Sequence, residues 1–262
     1  MAKDDARPTP PPQGEGMGEE HTLQAVSQEV AACKLCALHA WRKLSVPGEG
    51  PANAEILLIG EGPGFHENEQ GRPFVGAAGK FLDELLAKAN LKRSEVFITN
   101  VVKCRPPNNR DPLPEELGAC KGYLERQIEA INPKIIVTLG RFSMAHFLPN
   151  ARISSIHGQA SRVNGRLVIA MYHPAAALHQ ASLKPVVEQD FARLPEILKR
   201  AAEAKGAYQT NASGSKPAAQ AVQSQPLPLP MPGDPAPVDT AAQEASPEAE
   251  PKKAQPKQLR LF

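Results

Sequence analysis

Long apolar runs are missing from the sequence: none approaches the roughly 20 residues that a membrane span needs. The N-terminus also lacks an apolar signal core, so we expect a cytoplasmic protein. The sequence also lacks a large excess of either charge, because 30 basic and 28 acidic side chains leave a net charge of only +2. This balance argues neither for nor against a nucleic-acid partner. Cysteine is scarce too, and four cysteines in a cytosolic chain indicate metal binding or reactivity rather than disulfides.

Composition divides the chain into a well-mixed interior and two unusual ends. Residues 1–20 are rich in Pro, Gly and charge, and residues 205–257 are dominated by Pro, Ala, Gln, Ser and Glu. Such segments cannot bury enough apolar surface to offset the entropy lost on ordering. We therefore predict a disordered tail at 1–20, one folded domain at 21–200 and a disordered linker at 201–257.

Strand and helix patterns alternate through the folded domain. Short apolar runs predict strands at 55–59, 96–99, 135–139 and 167–171. Helical periodicity and stop signals predict helices at 22–32, 77–90, 114–131, 141–148 and 185–201. The segment 151–166 is expected to be irregular or an edge strand. Because the strands are continuous apolar runs, we predict an α/β fold with a mainly parallel central sheet flanked by helices on both faces.

Polar residues follow three of the predicted strands. They are the segment Gly60–Gly64, Asn100 and His173. Ligands of parallel α/β sheets bind beyond the carboxyl ends of the strands. The three clusters therefore predict one site at that edge.

The four cysteines form one close pair and one distant pair. Cys33 and Cys36 make a CxxC motif, whereas Cys104 and Cys120 lie sixteen positions apart. Thiolates suit zinc or an iron–sulfur cluster, and a structural zinc site more often shows two short CxxC pairs. The spacing alone leaves zinc, a cluster and four ordinary buried cysteines open.

The last five residues form a hydrophobic cluster at the end of the predicted linker. Its apolar and amide side chains are Gln258, Leu259, Leu261 and Phe262. We interpret 258–262 as a linear motif that enters a pocket on a partner, because it resembles the pentapeptide with which bacterial polymerases and repair proteins bind the ring-shaped sliding clamp. A chance hydrophobic terminus is the alternative. As a flexible coil, residues 201–257 would reach roughly 40–45 Å.

Four further segments, taken together, resemble one enzyme family. They are GEGPG at 60–64, GRPFVGAAG at 71–79, TNVVKCRPP at 99–107 and HPAAAL at 173–178. With the cysteine spacing, they are similar to family 4 of the uracil-DNA glycosylases, the iron–sulfur branch. The resemblance covers about 30–200. It implies a 4Fe-4S cluster bound by Cys33, Cys36, Cys104 and Cys120.

The resemblance also implies how the base is recognised. Phe74 would be the aromatic platform for an extruded uracil, although by itself it would be assigned to the core. The Asn100 amide would donate to O4 and accept from N3–H, a pattern that cytosine reverses. Alone, this asparagine could equally be a cap or turn residue. Gly60, Glu61 and Gly62 would line the pocket.

Three side chains receive catalytic roles from the same resemblance. His173 would hydrogen-bond O2 and stabilise the negative charge on the departing uracil. Glu67 would orient the attacking water, with Glu61 as a second catalytic carboxylate at the pocket wall. The segment 65–69 retains only part of the acidic run that is common in the family.

HPAAAL also lacks the larger side chains that often follow the histidine and proline, which leaves Leu178 or His179 as the duplex wedge. We expect hydrolysis of the N-glycosidic bond of uracil in single- or double-stranded DNA by a monomer. The enzyme would associate with the nucleoid and be tethered to the replication clamp, without a membrane partner. A glycosylase of broader deaminated-base specificity and an inactive clamp-linked adaptor are the alternatives.

Overall fold

A computed structural model describes residues 18–200, and its elements alternate as predicted. The helices are α1 Glu19–Ala32, α2 Phe65–Gln70, α3 Ala77–Lys88, α4 Pro114–Ile131, α5 Arg141–Phe147, α6 Ile153–Ile156, α7 Pro174–His179 and α8 Lys184–Ala192. The strands are β1 Ile56–Gly60, β2 Val96–Asn100, β3 Ile135–Leu139, β4 Ala160–Val163 and β5 Arg166–Met171. The predicted linker and the peptide 258–262, together with nearly all of the predicted N-terminal tail, lie outside the described residues.

The five strands form one sheet in the order β2-β1-β3-β5-β4. The first four are parallel, and β4 pairs antiparallel with β5 at the edge. The predicted α/β fold with a mainly parallel sheet is thereby confirmed. No helix between residues 18 and 200 has the length and apolarity of a membrane span.

The apolar strands supply two cores because successive side chains of a strand point to opposite faces. Leu58 of β1 and Val137 of β3 belong to the core that contains the α3 and α8 side chains. Leu57 and Ile136, their neighbours in sequence, belong to the core that contains the α4 side chains. Helices therefore cover both faces, which explains why strand patterning was continuous rather than alternating.

The structure differs from the predicted elements mainly in short segments. The helices α2 and α7 were not predicted, since six residues carry too little periodicity to be recognised. The segment 151–166 contains α6 and the edge strand β4. The last predicted helix is interrupted, because α8 ends at Ala192 and a separate helical stretch at 194–200 follows a turn. β1 extends to Gly60, one residue beyond its predicted end.

Candidate active site

The carboxyl ends of β1 and β2 lie side by side at one edge of the sheet. The register pairs Gly60 with Asn100. A Cβ on Gly60 would lie 2.4 Å from Oδ1 of Asn100 and 2.7 Å from Cζ of Phe74. Glycine at position 60 therefore lets the amide and the aromatic ring approach the strand end together.

Asn100 carries a buried polar atom without a partner in the described part of the chain. The residue is only 1% exposed, and within residues 18–200 its Oδ1 has no hydrogen-bond partner. Buried polar side-chain atoms nearly always have a partner, so a lone acceptor at a cavity wall requires an explanation. A ligand that presents an N–H donor would supply one.

Phe74 is both a core residue and a wall of the cavity. It is buried with the residues of the α3 core, and its ring lies nearly parallel to the His173 imidazole, with centroids 5.5 Å apart and planes inclined by 25°. Its backbone φ of 50° is in the left-handed region that bulky residues rarely adopt. Contacts with the rest of the fold must therefore hold Phe74 in this backbone conformation, which local preferences disfavour.

Glu67 binds the segment that follows Phe74. Its Oε1 accepts hydrogen bonds from the backbone N–H groups of Val75 at 2.8 Å and Gly76 at 2.9 Å. Its Oε2 accepts from the N–H of Gly64 at 3.1 Å. Each carboxylate oxygen offers about two acceptor positions. One position on Oε2 is therefore left for a further donor.

His173 caps α7 and has a defined tautomer. The backbone N–H of Ala175 donates to Nδ1 at 3.1 Å, so in the neutral ring the proton lies on Nε2. Burial lowers the pKa of His173 to about 4, although the Glu67 carboxylate raises it slightly. At neutral pH the side chain is thus an uncharged hydrogen-bond donor.

One cavity of about 370 Å³ contains most of the predicted site residues. Glu61, Gly62, Glu67, Phe74, Asn100 and His173 all line it. Gly60 does not, because it lies behind the Phe74 ring and the Asn100 amide. Burial, and then the nearby Asp111 carboxylate, raise the pKa of Glu61. A volume of this size suits a small ring system.

The cavity also includes residues that the sequence reasoning missed. Pro106, Asn109 and Arg110 line it from the loop after β2. The sequence feature that could have indicated this loop is the Asn-Asn pair at 108–109. Both asparagines adopt a positive φ, which turns the loop back. Of the two wedge candidates, Leu178 is an exposed apolar side chain and His179 is the last residue of α7.

The four cysteines line a second cavity. Cys33 and Cys36 are half-buried, whereas Cys104 and Cys120 are buried. Burial raises the pKa of Cys36 and Cys104, and it raises that of Cys120 to about 11. The Arg42 guanidinium donates to Sγ of Cys104 at 3.1 Å. Within residues 18–200, no three His, Cys, Asp or Glu side chains are arranged to hold a single metal ion.

Lys103 lies between the two cavities and was not identified from the sequence. It lines the cysteine cavity and is only 1% exposed. Its Nζ donates to Oγ1 of Thr99 at 2.6 Å, to the carbonyl of Asn100 at 2.9 Å and to Oε1 of Gln127 at 2.6 Å. Burial lowers the pKa of Lys103 to about 7. Three acceptors match the three donors of an ammonium group.

Comparison with known proteins agrees with this geometry. Residues 47–199 match the model of the uracil DNA glycosylase superfamily. A type-4 uracil-DNA glycosylase of Archaeoglobus fulgidus is 47% identical over 186 residues, which cover 67% of this chain and 93% of the relative. One from Sulfurisphaera tokodaii is 45% identical, covering 67% of this chain and 84% of the relative.

A third type-4 uracil-DNA glycosylase, from Thermotoga maritima, is 41% identical over 186 residues, covering 69% of this chain and 97% of the relative. The matched region in each case corresponds in length to the folded domain. The chain therefore belongs to the uracil-DNA glycosylase superfamily and, within it, to the type-4 enzymes.

Proposed function

We propose that the chain hydrolyses the N-glycosidic bond of uracil in DNA, releasing uracil and leaving an abasic site for base excision repair. The observation that carries this proposal is the unpaired, buried Oδ1 of Asn100 beside the Phe74 ring. An enzyme that acts on a base must first extrude it from the stack. The cavity offers that base an aromatic wall and a hydrogen-bonding amide.

The Asn100 amide selects uracil over cytosine. Its Oδ1 accepts from N3–H of uracil, and its NH₂ group donates to O4. Cytosine presents an unprotonated N3 and an amino group in these two places. Oδ1 would then face an acceptor, and the NH₂ group would face a donor. Phe74 supplies stacking, which is worth roughly 1–3 kcal/mol per base in single-strand binding sites.

His173 stabilises the leaving group. Cleavage places negative charge on the uracil ring, and the Nε2–H of a neutral imidazole can donate to O2 where that charge develops. A preorganised donor of this kind contributes about 3–4 kcal/mol. Because the hydrogen bond from Ala175 fixes the tautomer, the donor is in place before the substrate binds.

Glu67 has two roles in this proposal. Its three backbone hydrogen bonds hold the loop that carries Phe74. The remaining acceptor position on Oε2 orients the water that attacks the sugar, and the carboxylate charge stabilises the cationic sugar. Glu61, at the cavity wall, contributes a second carboxyl whose raised pKa reflects its burial.

The activity is tested with oligonucleotides that contain uracil, hypoxanthine or neither, as single and double strands, followed by alkaline cleavage of abasic sites. We expect scission only at uracil, and Asn100→Ala should lower kcat/KM by about 10- to 100-fold, the cost of roughly 1–3 kcal/mol for lost buried hydrogen bonds. Scission at hypoxanthine would support the broader glycosylase. Absence of scission at every base would refute the proposal and favour the adaptor.

A 4Fe-4S cluster bound by Cys33, Cys36, Cys104 and Cys120 forms part of the proposal. The four sulfurs line one cavity, and a cluster takes each thiolate on a different iron, so it does not need the close convergence of a single-ion site. Arg42 already donates to one sulfur. When bound, the cluster would join the segment at Cys33–Cys36 to the segment at Cys104–Cys120.

Anaerobic purification tests the cluster. We expect a brown protein with broad visible absorption and four irons per chain, and a Cys120→Ser variant that has lost this colour. A colourless protein that contains only zinc would contradict the assignment. Uracil excision by such a protein would leave the main proposal intact.

We also propose that 258–262 tethers the enzyme to the sliding clamp of replication. This rests on Gln258, Leu259, Leu261 and Phe262 alone, which lie outside the described residues. Tethering would raise the local enzyme concentration at new DNA without fixing its orientation.

Deletion of 258–262 should abolish binding to purified clamp and spare excision from short oligonucleotides. Replacing Arg260 alone is the matched control, because its side chain is not one of the four that form the motif. Equal clamp affinity with and without the peptide would remove the tether.

A further inference from the structure

An aromatic ring and a cation form a pair at the rim of the cavity lined by Glu67, Phe74, Asn100 and His173, which we call the uracil cavity after its proposed ligand. Phe65 begins α2 immediately after Gly64, which lines the cavity, and Phe65 is 53% exposed. The Arg105 guanidinium carbon lies 5.3 Å from the centre of the Phe65 ring. Arg105 also donates through Nε to Oδ1 of Asn109, a cavity residue, at 2.8 Å. The pair is thus connected directly to the cavity wall.

Charge distinguishes Arg105 from the other arginines nearby. Arg110 is paired with Glu116 at 2.7 Å, and Arg141 is paired with Asp111. Within residues 18–200, Arg105 has no carboxylate within salt-bridge distance. A half-buried cation without a counterion among residues 18–200, beside a cavity that would accept one base of a DNA strand, is complementary to the adjoining phosphate.

We propose that Phe65 and Arg105 bind the nucleotide next to the extruded uracil. Arg105 contacts its phosphate, and the exposed Phe65 ring stacks with its base. This combination of aromatic stacking and cationic contact is typical of single-strand binding surfaces. The proposal rests on the proposed function, because it assumes that a DNA strand carries the base into the cavity.

The test compares Arg105→Gln and Phe65→Ala with Arg162→Gln. Arg162 lies on the edge strand and pairs with Leu167 near the start of β5, at the opposite end of the sheet from the cavity, so it is the matched charge control. Binding is measured with single-stranded oligonucleotides that carry an uncleavable abasic analogue. The oligonucleotides are shortened one nucleotide at a time on each side.

We expect Arg105→Gln to reduce the slope of log Kd against the logarithm of salt concentration by about 0.7, the value for one phosphate contact on a single strand. Phe65→Ala should weaken binding by roughly 5- to 100-fold, as for one stacked base. Both penalties should vanish when the flanking nucleotide is removed, and inhibition by free uracil should be unchanged. The proposal fails if Arg105→Gln and Arg162→Gln bind every oligonucleotide alike, even while the wild-type protein excises uracil.

Arg93 lies outside the cavity but binds the backbone on which Phe74 is carried. Its Nη2 donates to the carbonyl of Pro73 at 2.6 Å, and its Nη1 donates to the carbonyl of Phe74 at 3.2 Å. Ion pairs with Glu49 at 2.8 Å and Asp83 at 3.0 Å hold the guanidinium in place. Arg93 therefore binds the carbonyls before the turn, while Glu67 binds the N–H groups after it.

These contacts surround a backbone under strain. Phe74 has a positive φ, and a Cβ on Gly79 would lie 1.8 Å from its carbonyl oxygen. Conformations of this kind are unfavourable by themselves and persist only when surrounding contacts enforce them. The forked guanidinium supplies two such contacts, and a lysine could not make both with the same geometry.

We infer that Arg93 is a positioning residue that keeps the Phe74 ring at the cavity wall. The inference also rests on the proposed function, through the role of Phe74 in base binding. Arg93→Lys keeps the positive charge near Glu49 but loses the fork, so it should raise the inhibition constant of free uracil about tenfold. Asp83→Asn removes an ion pair of Arg93 without touching Phe74, and it should leave that constant within twofold.

A double-mutant cycle separates positioning from general stability. If Arg93 acts through the ring, Arg93→Lys should add no further loss of uracil binding in a Phe74→Ala background. Additive losses, or an Arg93→Lys variant that binds uracil as Asp83→Asn does, would overturn the inference. Excision by the wild-type protein remains a separate readout, so the proposed function is tested independently.

Discussion

The two cavities of the domain differ in how the folded chain treats the groups that line them. In the uracil cavity, hydrogen bonds within the chain fix the groups that would meet the base: Ala175 sets the His173 tautomer, and Glu67 holds the loop after Phe74. In the cysteine cavity, burial raises the pKa of Cys36, Cys104 and Cys120, which disfavours the thiolate form that metals bind. Hydrogen bonds among residues 18–200 thus hold the groups of the first cavity before a ligand binds, whereas the cysteines of the second would need the proposed cluster to hold them as thiolates.

This difference has an energetic meaning. Preorganised donors cost no reorganisation when the substrate arrives, which is how enzymes stabilise transition states. The buried thiols would instead have to lose protons if the proposed cluster binds, so its binding would be coupled to pH and to folding. Lys103 connects the regions, because it lines the cysteine cavity and donates to the carbonyl of Asn100.

The largest expected effect separates the cavities by function. His173→Ala should lower kcat by about 10²- to 10³-fold, since a preorganised donor contributes roughly 3–4 kcal/mol. Its visible absorption should match that of the wild type, whereas its melting temperature should fall by a few degrees, because the variant loses the cap of α7. Single-turnover excision measures the rate, and absorption spectra and thermal melting measure the other two properties. Loss of colour in this variant would show that the two cavities do not function independently.

Acid should destabilise the fold through His173. The folded pKa of about 4 lies below the ordinary value of 6.5, so the unfolded chain binds the proton more tightly. The contribution is fully favourable above pH 6.5 and is lost as pH falls toward 4, by up to about 3 kcal/mol. Urea unfolding at several pH values tests this, with His173→Gln as the control that should lack this component.

Lys103→Met should have a smaller effect on stability, about 1–3 kcal/mol, because Thr99, Asn100 and Gln127 would each lose one hydrogen bond in the interior. Lys121→Met is the control, since Lys121 forms an exposed pair with Glu125 and should change the free energy of unfolding by less than about 0.5 kcal/mol. Urea unfolding compares them. Equal losses would show that the buried ammonium contributes nothing special.

Much of the site could be anticipated because its residues follow strands. Continuous apolar runs implied a parallel sheet, and the polar residues after three of them had to meet at one edge. The pairing of Gly60 with Asn100 is the consequence in atomic terms. Roles for Phe74 and Glu67 came only from family resemblance, since a phenylalanine beside a helix start is by itself indistinguishable from a core residue.

Other features had no local signal. Arg93 and Lys103 are ordinary surface-type residues in the sequence, and their importance depends on carbonyls brought to them by folding. Phe65 and Arg105 are forty positions apart and meet only because α2 and the loop after β2 share one edge of the sheet. Long-range contacts of this kind cannot be inferred from periodicity or turn chemistry.

The sequence by itself determined the sheet and the strand ends that carry polar residues, because these follow from apolar patterning and side-chain chemistry. Tertiary structure alone decided which groups are preorganised. Burial lowers the pKa of His173, contacts from distant residues hold Phe74 at a positive φ, and Oδ1 of Asn100 is buried without a partner among residues 18–200. Their energies depend on surroundings that exist only once the chain has folded.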